Sequence, residues 1–160
     1  MSLRDLFPSG RFSPPATESA IASVEAQLGV RLPEQLRRLY FECDGFREDK
    51  GNAKYLLSLT EEDVIGSVLS TTKFMWTEVK RPDLKSFIFF GSSAGDEAWG
   101  IDSANPDRII AYHHHMEDEF QVMDSDILGV FKSDYAIYER LEKRDNQCAT
   151  DNDGAAPRRV

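Results

Sequence analysis

Apolar side chains fall at helical spacing twice in the first third of the chain. Ile21, Val24 and Leu28 share one face, and Leu36, Leu39, Tyr40 and Cys43 repeat at i, i+3, i+4 and i+7. Thr17 is placed to cap the first helix, and Gly29 stands where a left-handed residue would end it. Pro33 suits the first turn of the second helix, because its missing N–H would have no partner there, and Asp44-Gly45 releases the chain. The pattern predicts a helical hairpin with a Leu-Gly-x-x-Leu-Pro corner.

Beyond a polar loop from Phe46 to Lys54, the run Tyr55 to Leu59 reads as a strand. Thr60-Glu61-Glu62-Asp63 has the character of a capping sequence. Val64, Ile65, Val68, Leu69, Thr72, Met75, Trp76 and Val79 then continue at helical spacing as far as Pro82. Four consecutive large apolar residues, Phe87 to Phe90, predict a central strand buried on both faces. Glu97 to Ile101 and Arg108 to His113 give two more strands around an Asn105-Pro106-Asp107 turn, and Phe120 with Val122 a short last one. Ile127, Leu128, Phe131, Tyr135, Tyr138 and Leu141 favour a closing helix, weakened near its start by Gly129.

This order places the chain in the α+β class: an N-terminal helical hairpin, a mostly antiparallel sheet of about four to six strands with an inserted helix, and a C-terminal helix. Residues 1–16 read as an irregular segment and 17–144 as a single domain. Residues 145–160 read as a disordered tail, with almost no large apolar side chains to offset the entropy of ordering.

Composition narrows the function. A chain of 160 residues with 41% hydrophobic and 29% charged side chains can bury a core as an ordinary soluble domain. No apolar run approaches the roughly 20 residues of a membrane span, and the first residues lack the apolar core of a secretory signal, so the cytoplasm is the expected location. Cys43 lies on an apolar stripe and Cys148 in the polar tail, so no disulfide is expected between them.

A net charge of −9 argues against nucleic-acid binding, which needs Lys and Arg at phosphates. The acidity is concentrated: between residues 91 and 126 nine acids face Arg108 alone, a net of −8. Such a field is often only a solvated surface, yet it can also steer a basic partner.

Two motifs invite an enzymatic reading. Gly91-Ser92-Ser93-Ala94-Gly95 fits the nucleophile-elbow pattern, and Asp102 or Asp107 and then His113 follow in order. That chemistry needs a helix after the serine, however, whereas the residues beyond Gly95 read as a strand. His113-His114-His115, with Glu117, Asp118 and Glu119 behind it, could offer two imidazoles on one strand face to zinc or iron(II). Consecutive spacing supplies no third ligand of defined geometry, so no metal and no other cofactor is expected. Trp76 fits the core, and Trp99, inside the acidic segment, is a candidate interface anchor.

Glu25, Leu28, Gly29, Leu32, Pro33, Tyr40, Asp44 and Gly45 together resemble the opening of the SUKH superfamily, the fungal cell-wall-assembly regulators and their bacterial immunity-protein relatives. Phe87 to Asp102 resembles its second signature, a hydrophobic strand, a glycine loop with an acid, and a strand ending in Asp. The resemblance implies a stoichiometric inhibitor, not an enzyme, that binds and neutralises a cognate polymorphic or contact-dependent toxin, many such toxins being nucleases with basic active sites. A regulatory scaffold of the cell-wall-assembly type is the alternative, and a small serine hydrolase or metal-dependent enzyme a distant one. The expected partner-binding set is Asp96, Glu97, Trp99, Asp102, Asp107, Glu117, Asp118 and Glu119, on a monomer or weak homodimer.

Overall fold

The computed structural model describes residues 1–49, 54–62, 66–93, 97–113 and 120–133. Helix α2 (Glu18–Leu28) and helix α3 (Glu34–Glu42) form the expected hairpin. Thr17 caps α2 by accepting the Ala20 N–H, and Gly29 ends it with φ of 71°. Ile21, Val24 and Leu28 of α2 and Leu36, Leu39 and Tyr40 of α3 are buried. Asp44, just past α3, accepts the Leu59 N–H at 2.8 Å and the Ser58 hydroxyl at 3.2 Å, tying the end of the hairpin to the sheet.

Among the described residues, seven antiparallel strands follow one another in sheet order: β1 (Arg11–Phe12), β2 (Phe46–Arg47), β3 (Tyr55–Leu56), β4 (Phe87–Ser92), β5 (Glu97–Asp102), β6 (Ile109–His113) and β7 (Phe120–Val122). One face carries Ile88, Phe90, Trp99, Ile101, Ile109 and Ala111 against the buried sides of α2, α3 and α5 (Ile127–Lys132). The other carries Phe87, Phe89, Ala98, Ile110 and Tyr112 against Leu84 of the 3-10 turn Pro82–Ser86 and Met75 of helix α4 (Val68–Thr77). Each such side chain taken fully out of water contributes on the order of 1.5–3 kcal/mol before entropy is counted.

Strand β4 meets β3 only at Gly91 and Ser92. Past that point its edge is covered by α4: the Phe89 N–H donates to Thr72 Oγ1 at 3.0 Å, and the Phe87 carbonyl accepts from Trp76 Nε1 at 2.9 Å. Gly91 leaves no space for a side chain, since a Cβ there would lie 2.7 Å from the Trp99 ring and 2.8 Å from the Tyr55 carbonyl oxygen.

The structure corrects the sequence reading in three places. Residues 1–16 contain helix α1 (Leu3–Leu6) and strand β1. Leu3 is buried, and Glu42 of α3 accepts the Leu3 and Arg4 N–H groups at 3.2 and 3.0 Å, so a long-range carboxylate supports a helix too short to stand alone. The loop expected from Phe46 begins with β2, and the strand expected through Leu59 ends at Leu56.

Helix α4 starts at Val68, not after Thr60, because the Ser67–Ser70 capping box and Gly66, with φ of 90°, fix its beginning there. The closing helix is seen as α5; its expected continuation through Leu141 and the tail 145–160 lie outside the described residues, as do Val64 and Ile65. No helix among the described residues is long and apolar enough to cross a membrane.

Candidate functional site

Strands β5 and β6 and their flanking turns carry the acidic segment, and they divide its charges between the interior and one end of the sheet. Glu97 is 3% exposed. Its Oε1 accepts the hydroxyl of Ser93 and, at 3.0 Å, the indole N–H of Trp99, while Oε2 is buried with no hydrogen-bond partner among the described residues. Trp99 is fully buried, its ring edge-on to Phe131 with centroids 5.1 Å apart.

Asp102 is also buried; its carboxylate accepts the Ala104 and Asn105 N–H groups at 2.9 and 3.3 Å and stands 3.8 Å from Arg108 Nη1. These three side chains of the expected partner-binding set therefore shape the β5–β6 hairpin from within, where a partner could not touch them in the folded chain. The cause is local. Alternation along β5 turns Glu97, Trp99 and Ile101 to the helix-covered face, and the Asp102 side chain folds back to close the turn.

Asp107 is exposed, in the β5–β6 turn. Asp96, Glu117, Asp118 and Glu119 lie outside the described residues. Two further exposed acids, Asp124 and Asp126, precede α5. Asp126 caps that helix by accepting the Leu128 N–H, and Asp124 accepts the Asp126 N–H at 2.9 Å.

One side chain joins these turns. Gln35, on the first turn of α3, donates through Nε2 to the carbonyls of Pro106 at 2.8 Å and Ser125 at 3.1 Å, and its Oε1 accepts the Ile127 N–H at 3.1 Å. Asp107, Asp124 and Asp126 thus surround one clamp that links three distant parts of the chain. Nothing in the local sequence marks Gln35, since its partners are 71 to 92 residues away.

The enzymatic motifs take ordinary structural roles. Ser93 is 1% exposed with its hydroxyl committed to Glu97, and the next described element is strand β5 in place of the helix that a nucleophile elbow requires. His113 stands opposite Glu97 in the β5–β6 register, and His114 and His115 lie outside the described residues. Among the described residues no group of three or more His, Cys, Asp or Glu side chains is arranged to hold a metal.

A separate cleft of about 460 Å³ opens at the other end of the sheet, lined by Arg11 and Arg47 of β1 and β2, Tyr55 of β3, and Ser58, Glu61 and Glu62 of the segment leading to α4. The cleft itself had no signal in the sequence, because β1 and β2, of two residues each, leave no periodicity to read.

No curated protein matches the chain. A family model does match, over residues 15–126, from the start of the helical hairpin through the β4–β5 signature to the cap of α5. With the corner, the buried Tyr40, the Asp-Gly release and the antiparallel sheet all in place, the chain belongs to the SMI1/KNR4 family (SUKH-1).

Proposed function

We propose that this protein is an immunity protein of the cytoplasm, binding a cognate toxin with a basic surface, such as a nuclease, in a stoichiometric complex that blocks it. Family membership supports a protein–protein interaction module, and the observation that carries the reading further is the gathering of exposed Asp107, Asp124 and Asp126 around the Gln35 clamp. A nuclease must be basic where it holds phosphates. A rigid acidic face can occupy or shield that surface, and its field accelerates encounter before any contact forms.

The proposed partner-binding set also includes Asp96, Glu117, Asp118 and Glu119, while buried Glu97, Trp99 and Asp102 support the β5–β6 hairpin from within. The chain acts by occupancy, with no turnover and no cofactor, as a monomer or weak homodimer.

The test is protection. The gene adjacent to this one is expressed with and without this protein, and its product is purified with it. Rescue of growth together with a one-to-one complex is expected. Complex formation without rescue would move the protein to the regulatory-scaffold class, and esterase or phosphatase activity abolished by Ser93→Ala would overturn the binding reading altogether.

A further inference from the structure

Strand β7 ends the sheet, and its backbone geometry leaves one side of it open. The Met123 N–H donates to the Ile109 carbonyl at 2.8 Å, which makes those two residues a hydrogen-bonded pair of the antiparallel ladder. The β6–β7 register then makes Gln121 and Ala111 the next such pair, and sets Phe120 opposite Tyr112 and Val122 opposite Ile110 as non-bonded pairs. The N–H and C=O groups of Phe120 and Val122 therefore point away from β6. Among the described residues these four groups have no partner, since β7 pairs with β6 alone.

Other edges of the sheet are covered or guarded. Helix α4 lies along β4, and β1 carries the charged Arg11 and leads to Pro14 and Pro15, which have no N–H to offer a further strand. Strand β7 has neither device. Its residues are Phe120, Gln121 and Val122, without charge or proline, and Val122 is 67% exposed. Alternation puts Phe120 and Val122 on one face, where Phe120 packs against Phe87 and Tyr112 and Val122 is left as an apolar surface beside the open edge.

Charge selects the occupant. A strand paired with this edge runs past Asp124 and Asp126, both exposed. A second copy would bring together two chains of net charge −9 with the same exposed acids, whereas an extended segment carrying a cation meets complementary charge. We infer that β7 is a docking edge on which an extended segment of a partner protein adds as a further antiparallel strand. The segment places apolar residues opposite Phe120 and Val122, and a lysine or arginine two residues before the first of them, toward Asp124 and Asp126. The inference deepens the proposed function and rests on it for the positive charge of the segment.

The experiment titrates the full chain, labelled with 15N, with acetyl-Lys-Thr-Val-Thr-Val-Gly-amide and follows backbone amide shifts. Saturable shifts at Phe120 and Val122 are expected. Methylating the nitrogens of both valines, which face the edge, should weaken binding about tenfold or more, whereas methylating those of both threonines, which face away, should not. Val122→Pro removes an outward N–H without touching the β6 ladder and should weaken the peptide similarly; the methylated peptides decide the matter if that variant does not fold. Absence of binding, equal effects of the two methylations, or equal binding of a peptide with Glu in place of Lys would overturn the inference. A folded Val122→Pro that binds the adjacent gene's product as the wild type does would overturn it too, and leave the proposed function standing. Peptide binding by a chain that neither rescues growth nor binds that product would support the docking edge and overturn the proposed function. A wild-type dimer lost in Val122→Pro would give the edge to a second copy instead.

Discussion

Glu97 shows how a single side chain reverses the meaning of a charge in a sequence. Read along the chain it adds to an acidic field; in the fold it accepts from Ser93 and Trp99 and leaves Oε2 without a partner among the described residues. Burying a carboxylate in this way costs free energy that its donors must offset. Glu97→Gln keeps an acceptor for both donors and removes the charge, so its stability should equal or exceed that of the wild type. Glu97→Ala strands two buried donors and should cost about 2 kcal/mol or more. Urea denaturation of both variants checks the pair, and a destabilised Gln variant would show that the charge itself is required.

Cys43 tests burial through reactivity. Removal from water, with Glu42 adding repulsion, pushes its thiol up to about 12. In a Cys148→Ser background, iodoacetamide at pH 8 should modify Cys43 only when urea is present. Because the folded value lies above the unfolded one near 9, the contribution of this thiol to stability is complete below about pH 9 and is lost as pH rises toward 12. Tyr40, whose phenol burial also raises well above its ordinary range, acts in the same direction. Stability that stays flat from pH 8 to 11 would contradict this.

At the scale of elements, legibility followed locality. The hairpin could be read because Thr17, Gly29 and the apolar stripes act within a few residues of themselves, and β4 because Phe87 to Phe90 is apolar on both faces. Helix α1, strands β1 and β2, and the true start of α4 could not. The first depends on Glu42, 38 to 39 residues away, and the strands are two residues long. For α4, two capping sequences compete, and the one adjoining a positive-φ glycine prevails.

The candidate site was legible only as a charge count. Which acids face water was decided by alternation along β5 and by Gln35, neither of which composition records. Helix α4 has a further role without sequence signal, as cover for the β4 edge. Thr72→Val preserves shape but leaves the buried Phe89 N–H without its acceptor, which should cost about 1–3 kcal/mol. Thr72→Ser should recover most of that. If Val and Ser variants melt alike, the hydroxyl is not what holds the helix to the strand.

For the whole molecule, the proposed function makes the exposed acids the surface that a basic partner meets, and their field should govern the rate of encounter more than the strength of the final complex. Replacing Asp107, Glu117, Asp118, Glu119 and Asp124 together by Asn or Gln removes five negative charges and leaves Asp126 to cap α5. Association of this variant with the partner recovered by co-purification should be slower by at least about tenfold at low salt, with dissociation changed much less. For the wild type, the association rate should fall steeply as the Debye length contracts from about 30 to 8 Å, and the two rates should converge at the salt-rich end. Thermal melting of the free variant should match the wild type or rise slightly, because self-repulsion falls while the Gln35 clamp, made through backbone carbonyls and an N–H, is untouched. Stopped-flow fluorescence across that salt series decides the matter. Equal association rates at low salt would assign the acidity to solubility and move the interface to another face.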